Sequence, residues 1–450
     1  MTRDKRTLSR RTFLQGAAAA SVAAGVAGSR TLANRAARVS PMERLNIAAI
    51  GVGGRGASVL GAFSSENIIA LCDVDENRAA GAYERFPRAT RYRDYRRLLD
   101  AMANDIDAVA ISTPDHTHAV IALAAMQLGK HVFLEKPLAH SIKEAGVLRE
   151  AAARYGVVTQ MGNQGMAGTG AREVCEWIWS GAIGDVHTVH AYDETTDLPA
   201  MRGDGRRPSD TPDVPEHLDW DLWLGPAPRR PYHPTYAPGR WRGWWEFGNG
   251  AVGDMAVHLL NPANWALRLG PPESVEPIRE KGMTEEGAPE SSVIRYNFPA
   301  RASMRPVTVY WYDGDEKPEA PPGVPQAEID GQRRSSLYVG TKGVLMGYDR
   351  DPARTVLYPE ALREEYEDGP PQLLPRSPGH FQEFIQACKG GPEPMANFDY
   401  AAPYTQMVLL GNVALRTGGA IEWDGQRVTN SGRANAFLHR EYRDGWSLET

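Results

Sequence analysis

The segment LNIAAIGVGGRGASVL, which begins at Leu45, constrains the fold more than any other stretch of the chain. An apolar run typical of a buried strand leads directly into glycines spaced Gly-x-Gly-x-x-Gly, after which a helix is predicted. In such a unit the first glycine permits a tight turn, the second allows another group to approach the backbone, and the third allows close helix–strand packing. The residues of this turn are Gly51, Gly53, Gly54, Arg55 and Gly56.

A second apolar strand, NIIALCDVD, places Asp73 at its end, 22 residues after Gly51. The start of a helix favours a phosphate, because its N–H groups are free and its dipole is positive there. A carboxylate at the end of the next strand can accept both ribose hydroxyls and repels a 2′-phosphate. The sequence therefore predicts a dinucleotide site that prefers NAD. Arg78 lies close enough along the chain to leave NADP open as an alternative.

Strands and helices continue to alternate after this point. The runs DAVAIS and HVFLEKP predict strands, DHTHAVIALAAMQLGK predicts a helix capped by Asp115, and SIKE is a capping box that starts another helix. This alternation predicts a doubly wound parallel sheet. Beyond residue 290, SSVIRYNF and VTVYWYDG have the alternating pattern of an antiparallel sheet, and FQEFIQACKG and YTQMVLLGNVALRTG predict helices.

The N-terminus carries the pattern of an export signal. Basic residues precede SRRTFLQ (9–15), and a weakly apolar, alanine-rich run follows. This order is typical of a twin-arginine signal, which we assign to residues 1–37. The run is too short and too glycine-rich for stable membrane insertion. We expect export to the periplasm or another extracytoplasmic compartment; the alternative is a chance Arg-Arg pair before an alanine tail.

The charge balance excludes some classes of partner, and the cysteine spacing excludes some structural roles. Residues 1–37 hold seven of the 50 Lys and Arg residues and one of the 56 Asp and Glu residues, so removing them changes the net charge from −6 to about −12. This argues against nucleic acid and anionic membranes as partners. The cysteines, Cys72, Cys175 and Cys388, are too widely spaced for a disulfide framework or a zinc cluster. We expect them to be buried apolar residues and predict no metal site.

Two distant segments carry candidate catalytic groups. Ligands of a doubly wound sheet bind beyond the carboxyl ends of its strands, where Lys136 lies between Glu135 and Pro137 and can direct its ammonium at a nicotinamide. Asp254 and His258 are spaced i, i+4, which places them on one face of a helix. A carboxylate beside an imidazole suits removal of a proton from an alcohol. A surface lysine and a structural Asp–His pair are the competing interpretations.

The EKPLAH segment after a nucleotide-binding half, combined with the glycine-rich DxxxH, resembles the Gfo/Idh/MocA oxidoreductases. The resemblance covers about residues 43–445 and extends to WDLWLGPAP, GAVGDM and GNVALRTG. It implies an N-terminal Rossmann domain (43–162). It also implies a C-terminal α/β domain (163–450) with a large open, mostly antiparallel sheet. Because that sheet commonly supports oligomers in the family, we expect a homo-oligomer.

The resemblance also implies roles for individual residues. Lys136 would contact both cofactor and substrate and stabilise the developing alkoxide, His258 would be the acid/base, and Asp254 would orient His258. The segment TPDHTH resembles the loop that lines the nicotinamide. Residues expected to bound the cofactor in this region are Thr113, Pro114, His118 and Glu135.

An insertion over residues 193–250 departs from most sugar dehydrogenases of the family. Six of the eleven tryptophans fall between residues 220 and 265, among arginines and acids. Flat aromatic rings beside charged groups suit a polyhydroxylated ring, so we expect a sugar, sugar derivative or cyclitol as substrate. The alternative is a loop-rich subdomain in which tryptophans form the core. Candidate substrate contacts are Asn163, Trp241 and Arg242.

Three functions remain open from the sequence. The first is an NAD(P)-dependent oxidoreductase that acts on a secondary hydroxyl and, because free dinucleotide is scarce outside the cytoplasm, keeps and recycles its cofactor. The second is a redox-neutral glycosidase that works by oxidation, elimination, hydration and reduction. The third is a non-catalytic relative that binds sugar and NAD.

Overall fold

Six parallel strands form the first sheet, in the order β3-β2-β1-β4-β5-β6. The strand order reverses between β1 and β4, which opens a crevice at their carboxyl ends. This confirms the predicted doubly wound parallel sheet. The strands are β1 (Asn46–Ile50), β2 (Asn67–Cys72), β3 (Thr90–Tyr92), β4 (Ala108–Ile111), β5 (His131–Leu134) and β6 (Thr159–Met161).

This sheet and the rest of the fold come from a computed structural model that describes residues 40, 42–194, 206–302, 304–347 and 355–449. The predicted export signal and part of the predicted insertion lie outside the described residues.

Helices on both faces of the first sheet connect its strands. The predicted capping box is present, since the Ser141 hydroxyl accepts the Glu144 N–H at 3.3 Å and the Glu144 carboxylate accepts the Ser141 N–H at 2.8 Å. Asp115 does not cap its helix as predicted, because Pro114 occupies the cap position and Asp115 is the first helical residue. The helices are α1 (Arg55–Ala62), α2 (Glu76–Arg85), α3 (Tyr95–Met102), α4 (Asp115–Gln127) and α5 (Ile142–Tyr155).

Eight strands form the second sheet, in the order β13-β12-β11-β7-β10-β9-β8-β14. The pair β7 and β10 is parallel and the other neighbours are antiparallel, which confirms the mostly antiparallel sheet. Its strands are β7 (Val186–Asp193), β8 (Ser274–Lys281), β9 (Ser291–Phe298), β10 (Val307–Asp313), β11 (Arg334–Gly340), β12 (Val344–Gly347), β13 (Val356–Tyr358) and β14 (Ile421–Glu422).

The remaining helices pack around both sheets, and the helix over His380–Cys388 packs on the first. They are α6 (Thr169–Trp179), α7 (Trp220–Leu224), α8 (Val257–Leu259), α9 (Asn261–Leu267), α10 (Gln326–Asp330), α11 (Glu360–Glu365), α12 (His380–Cys388), α13 (Phe398–Thr417) and α14 (Gly432–Asn435). Short 3₁₀ turns cover Gln164–Ala167 and Trp241–Gly243, and a π-helical turn covers Val252–Ala256.

The long helix α13 joins the two halves, because it packs on α5 of the first and on β8 of the second. One apolar core runs through both sheets, while α7 and the loops around it have a separate aromatic cluster. All three cysteines are buried free thiols, as expected. Among the residues described, no helix combines the length and the apolar character needed to cross a membrane.

Candidate active site

The glycine turn between β1 and α1 has the geometry that the sequence predicted. Gly51 has a φ of +76°, in the left-handed region that favours glycine. A Cβ on Gly56 would lie 1.8 Å from the Gly51 carbonyl oxygen, so α1 can begin this close to β1 only without a side chain there. The glycines therefore leave an open space between β1 and α1 that side chains would fill, here called the cradle.

Asp73 closes this cradle from the end of β2. Its Oδ2 accepts the N–H groups of Val52 and Gly53 at 2.9 and 3.1 Å, and its Oδ1 accepts the Asp75 N–H at 3.0 Å. Burial raises the pKa of Asp73, although these hydrogen bonds favour the charged form. The carboxylate thus lies where a ribose is expected, directly against the turn.

A cleft of about 560 Å³ extends from the glycine turn, past the ends of β4 and β5, to the second sheet. Twelve of the sixteen predicted site residues line it. They are Gly51, Gly53, Arg55, Asp73, Thr113, Pro114, Glu135, Lys136, Trp241, Arg242, Asp254 and His258. Of the other four, Gly54 and Gly56 belong to the turn itself, and His118 and Asn163 lie behind the cleft wall.

Lys136, Arg242 and Asp254 form a buried charged cluster in the cleft. The Lys136 ammonium donates to Asp254 Oδ1 at 2.6 Å and to the Asp254 carbonyl oxygen at 2.8 Å. Arg242 Nε donates to the same Oδ1 at 3.0 Å. Burial opposes the charge on Asp254, but the two cations outweigh it and hold its pKa well below the ordinary range. The sequence had placed Lys136 and Asp254 in the site separately; the structure joins them.

His258 is held by an amide. Its Nδ1 lies 2.8 Å from Oδ1 of Asn163, whose Nδ2 donates to the Val257 carbonyl oxygen at 2.9 Å. The second bond fixes which end of the Asn163 amide faces the ring, so His258 Nδ1 carries the proton and Nε2 the lone pair of the neutral imidazole. The structure places Asn163 against the His258 ring, whereas the sequence predicted Asp254 as the orienting residue; the predicted contact of Asn163 with substrate stays a prediction.

The helix that carries Asp254 and His258 is not a regular α-helix. Asp254 lies in the π-helical turn Val252–Ala256, and His258 follows in α8. Gly253 sits inside the turn, where a Cβ would be 2.2 Å from the Asn249 Cβ. A π turn widens the helix locally and recurs at functional sites.

His118 supports the cleft from behind. Its Nδ1 and Nε2 each lie 2.9 Å from a backbone oxygen, of Pro137 and Thr113 respectively. Burial lowers the pKa of His118 to about 4, so the ring is neutral near pH 7 and donates its one N–H to one of these two oxygens. His118 thus packs between the loops that hold Thr113 and Pro137, and its predicted contact with the cofactor stays a prediction.

The insertion combines the two roles that the sequence left open. Trp220, Trp223 and Trp244 pack in the aromatic cluster around α7, as the subdomain interpretation expects. Trp241 belongs to the same cluster and, like Trp223, also lines the cleft; the Arg242 guanidinium lies 4.3 Å from the centre of the Trp241 ring. A ring and a guanidinium held in this way offer a flat face and a row of donors to a polyhydroxylated ligand.

Several residues of the cleft were not predicted. Arg334, at the start of β11, reaches the cleft with its Nε 3.7 Å from Asp193. Tyr95 at the start of α3 and Trp446 near the C-terminus line its opposite end. Neither aromatic residue belongs to a recognisable motif, so only the tertiary structure brings them to the site.

The fold and the cleft define a two-domain dinucleotide-binding protein. The chain belongs to the Gfo/Idh/MocA oxidoreductase family. Residues 45–163 match the family's NAD-binding Rossmann fold and residues 168–279 its C-terminal alpha/beta domain, together more than half of the chain. This confirms the predicted family and NAD as the cofactor.

Individual relatives match over shorter stretches. Levoglucosan dehydrogenase of Pseudarthrobacter phenanthrenivorans is 26% identical over 237 residues, 50% of this chain and 52% of that enzyme. A glycosyl hydrolase family 109 protein of Saccharopolyspora erythraea is 36% identical over 161 residues, 30% of this chain and 35% of that protein. The chain therefore spans about half or less of the length of these curated relatives.

Solved structures share the fold over a longer range. The WlbA dehydrogenase of Bordetella pertussis, whose crystal structure contains NADH and UDP-GlcNAcA, superposes with a TM-score of 0.59 at 18% identity. The superposition covers 85% of this chain and 99% of that one.

Proposed function

We propose that this protein oxidises a secondary hydroxyl of a sugar, sugar derivative or cyclitol with NAD. The proposal rests on one observation: the glycine turn shares its cleft with Lys136 and His258. Lys136 is paired there with Asp254, and His258 is held by Asn163. The dinucleotide fits this cleft, because the turn is a cradle without side chains and Asp73 stands at the ribose position. The similarity to a levoglucosan dehydrogenase supports a carbohydrate substrate.

The proposal gives each polar group a role that its position supports. His258 Nε2 accepts the proton of the substrate hydroxyl, while Asn163 keeps the ring aligned. The Lys136 ammonium donates to the same oxygen and stabilises the negative charge that develops on it. Asp254 anchors Lys136, and its carboxylate favours the positive charge that His258 gains. When bound, the nicotinamide supplies the hydride acceptor.

The test is substitution of the two groups that face the reacting oxygen. Lys136→Ala and His258→Ala are each expected to lower kcat by about 10²- to 10⁴-fold, as general acid–base and oxyanion contributions require. His187→Ala, in an exposed strand position, serves as the matched control and leaves kcat unchanged. NAD binding by intrinsic fluorescence is measured alongside. Unchanged turnover in both variants would show that the site has been assigned wrongly.

Redox-neutral glycoside cleavage is the second candidate, favoured by the similarity to glycosyl hydrolase family 109 proteins. The same residues serve it, since a ketone formed at one carbon acidifies the neighbouring C–H and permits elimination of the glycosidic group. An aryl glycoside separates the two reactions. Cleavage yields aryl alcohol and reducing sugar and returns the cofactor to NAD, whereas simple oxidation yields a keto sugar and leaves the cofactor as NADH.

A non-catalytic relative that binds sugar and NAD is the third possibility. The cluster of Lys136, Asp254 and Arg242 beside an oriented His258 favours catalysis over it. A protein that binds both ligands in titration calorimetry but converts none of a panel of sugars, sugar pairs and glycosides would instead support the non-catalytic role.

We also propose that the protein is exported through the twin-arginine route and assembles as a homo-oligomer. The pattern of residues 1–37 supports export in the folded state, with NAD already bound and recycled in place. The second sheet supports assembly, because side chains such as Tyr310 and Val339 remain only partly buried on it. Cell fractionation and light scattering of the purified protein test these two proposals.

A further inference from the structure

The end of the cleft beyond Asp73 is formed by segments that are distant in sequence. In a Rossmann domain the carboxylate at the end of β2 takes the ribose of the adenosine half, so the adenine lies on the β2 and β3 side of the crevice. Tyr95, three residues after β3, lines that end of the cleft. Trp446 lines it from the opposite end of the chain.

Trp446 is held in a cluster of aromatic and cationic side chains, with its ring tilted against that of Tyr95. Its ring centre lies 6.3 Å from that of Tyr95, and the Arg96 guanidinium lies 5.0 Å from the Trp446 ring. Trp446 and Tyr95 are some 350 residues apart in the sequence. Their packing therefore requires residues 436–449, here called the tail, to return to the first sheet.

The tail is fastened on both sides of Trp446. The Arg443 guanidinium donates to the Gly225 carbonyl oxygen at 2.5 Å and to the Asp221 carboxylate at 2.6 Å. The Glu449 carbonyl oxygen accepts from the Gln127 side chain at 2.8 Å. The first pair of bonds ties the tail to the insertion, and the last ties it to α4.

The insertion is fastened in turn to the loop after β2. Asp219 N–H donates to the Val74 carbonyl oxygen at 2.9 Å, and Glu76 N–H donates to the His217 carbonyl oxygen at 3.0 Å. These bonds place Leu218 in the wall of the cleft, next to the segment that follows Asp73. Insertion, tail and ribose-binding loop therefore form one connected structure at this end.

We propose that Tyr95 and Trp446 form the adenine-binding site for NAD, and that the tail, pinned to the insertion by Arg443, is a clamp that retains the dinucleotide. Both rings offer π faces, on which a base stacks regardless of its hydrogen-bonding pattern. Release of NAD then requires the tail to detach. This inference rests on the NAD site but not on the proposed reaction.

The experiment measures dissociation of radiolabelled NAD from the purified full chain after addition of excess unlabelled NAD. Trp446→Ala is expected to raise the dissociation rate at least about tenfold, and Arg443→Ala is expected to raise it as well. Trp446→Phe keeps an aromatic face and stays close to the wild-type rate. Arg427→Ala, which breaks an exposed ion pair with Asp424, is the matched control and has no effect. Wild-type dissociation rates in both Trp446→Ala and Arg443→Ala would overturn the clamp.

Fragments of the cofactor locate the effect. Trp446→Ala is expected to lower the affinity for ADP-ribose at least about tenfold and to leave the affinity for nicotinamide mononucleotide unchanged. An equal loss of affinity for both fragments would overturn the adenine site. If Trp446→Ala does not fold, as judged by circular dichroism, the same comparison in Arg443→Ala decides. Failure of the proposed reaction can be distinguished from failure of the clamp. If only the reaction proposal is wrong, no sugar is oxidised but ADP-ribose still binds.

Discussion

At the scale of single residues, the imidazole of the site is oriented by an amide. Asn163 can accept from His258 Nδ1 because its own Nδ2 is engaged by the Val257 carbonyl oxygen. We expect Asn163→Ala to lower kcat by about 10- to 100-fold with a smaller change in KM, since groups that orient a functional ring typically contribute this much. Steady-state kinetics measures both constants.

The variant Asn163→Asp distinguishes positioning from packing. A carboxylate still accepts from Nδ1, but its negative charge favours the protonated imidazole. The acidic limb of the kcat/KM profile should therefore move to higher pH, while the ring stays aligned. A profile that falls uniformly at every pH, as in Asn163→Ala, would mean that Asn163 acts only through packing.

A second residue prediction concerns Asp313, buried at the end of β10. Burial raises its pKa to about 7, although hydrogen bonds from Trp311 and Ser292 favour the carboxylate. Between pH 4 and 7 the folded state thus keeps a proton that the unfolded chain has released. Through this group the free energy of unfolding falls by up to about 1.4 kcal/mol per pH unit as the pH rises.

Asp313→Asn removes this titration. Urea unfolding between pH 5 and 8 should therefore show a smaller loss of stability with rising pH in the variant than in the wild type, with the difference levelling off above pH 7. Asp100→Asn, at an exposed helix position, is the control and should follow the wild type. Parallel curves for wild type and Asp313→Asn would show that Asp313 is ionised throughout.

At the scale of elements, the contact between α1 and β1 depends on Gly56. A Cβ there meets the Gly51 carbonyl oxygen, so Gly56→Ala must push the helix away and distort the cradle. We expect a loss of about 1–3 kcal/mol of stability, typical of overpacking, together with at least about tenfold weaker NAD binding. Thermal unfolding and NAD titration measure the two effects.

Gly81→Ala is the matched control in the neighbouring helix α2. Gly81 is exposed and a Cβ there would meet no atom within 4 Å, so the change should be neutral or stabilising by up to about 1 kcal/mol. If Gly56→Ala bound NAD as tightly as Gly81→Ala, the close packing of α1 on β1 would not be needed for the cofactor.

The elements of the first sheet were predictable because local signals coincide there. Strand-like runs, turn glycines and the capping box at Ser141 each specify the same structure over a few residues. That Lys136 and Asp254 belong to one site followed only from family resemblance, and their ion pair is seen only in the structure. The roles of Asn163 and Trp446 could not be predicted, because they depend on contacts with residues about 90 or more positions away. The π turn around Asp254 could not be predicted either, because residue spacing does not reveal such a helix irregularity.

At the scale of the whole molecule, the proposed clamp and the proposed export signal address one problem. In this proposal the dinucleotide site is assembled only after residues 436–449 have been synthesised and have docked. The twin-arginine route accepts folded cargo, so the proposed export by this route would allow NAD to be bound before the protein leaves the cytoplasm. Export in the unfolded state would deliver the chain without NAD to a compartment where free dinucleotide is scarce.

Replacing both Arg10 and Arg11 by Lys should therefore reduce the amount of exported protein at least about tenfold, while the protein kept in the cytoplasm retains NAD. Cell fractionation with immunoblotting measures the first effect, and mass spectrometry of the denatured protein measures the second. Lys substitutions at Arg3 and Arg6, outside the motif, are the control. Fusing residues 38–450 to a signal for export in the unfolded state should yield protein without NAD. Normal export of the twin-lysine variant would contradict the route, and NAD-loaded protein from the fusion would contradict the need for folding before export.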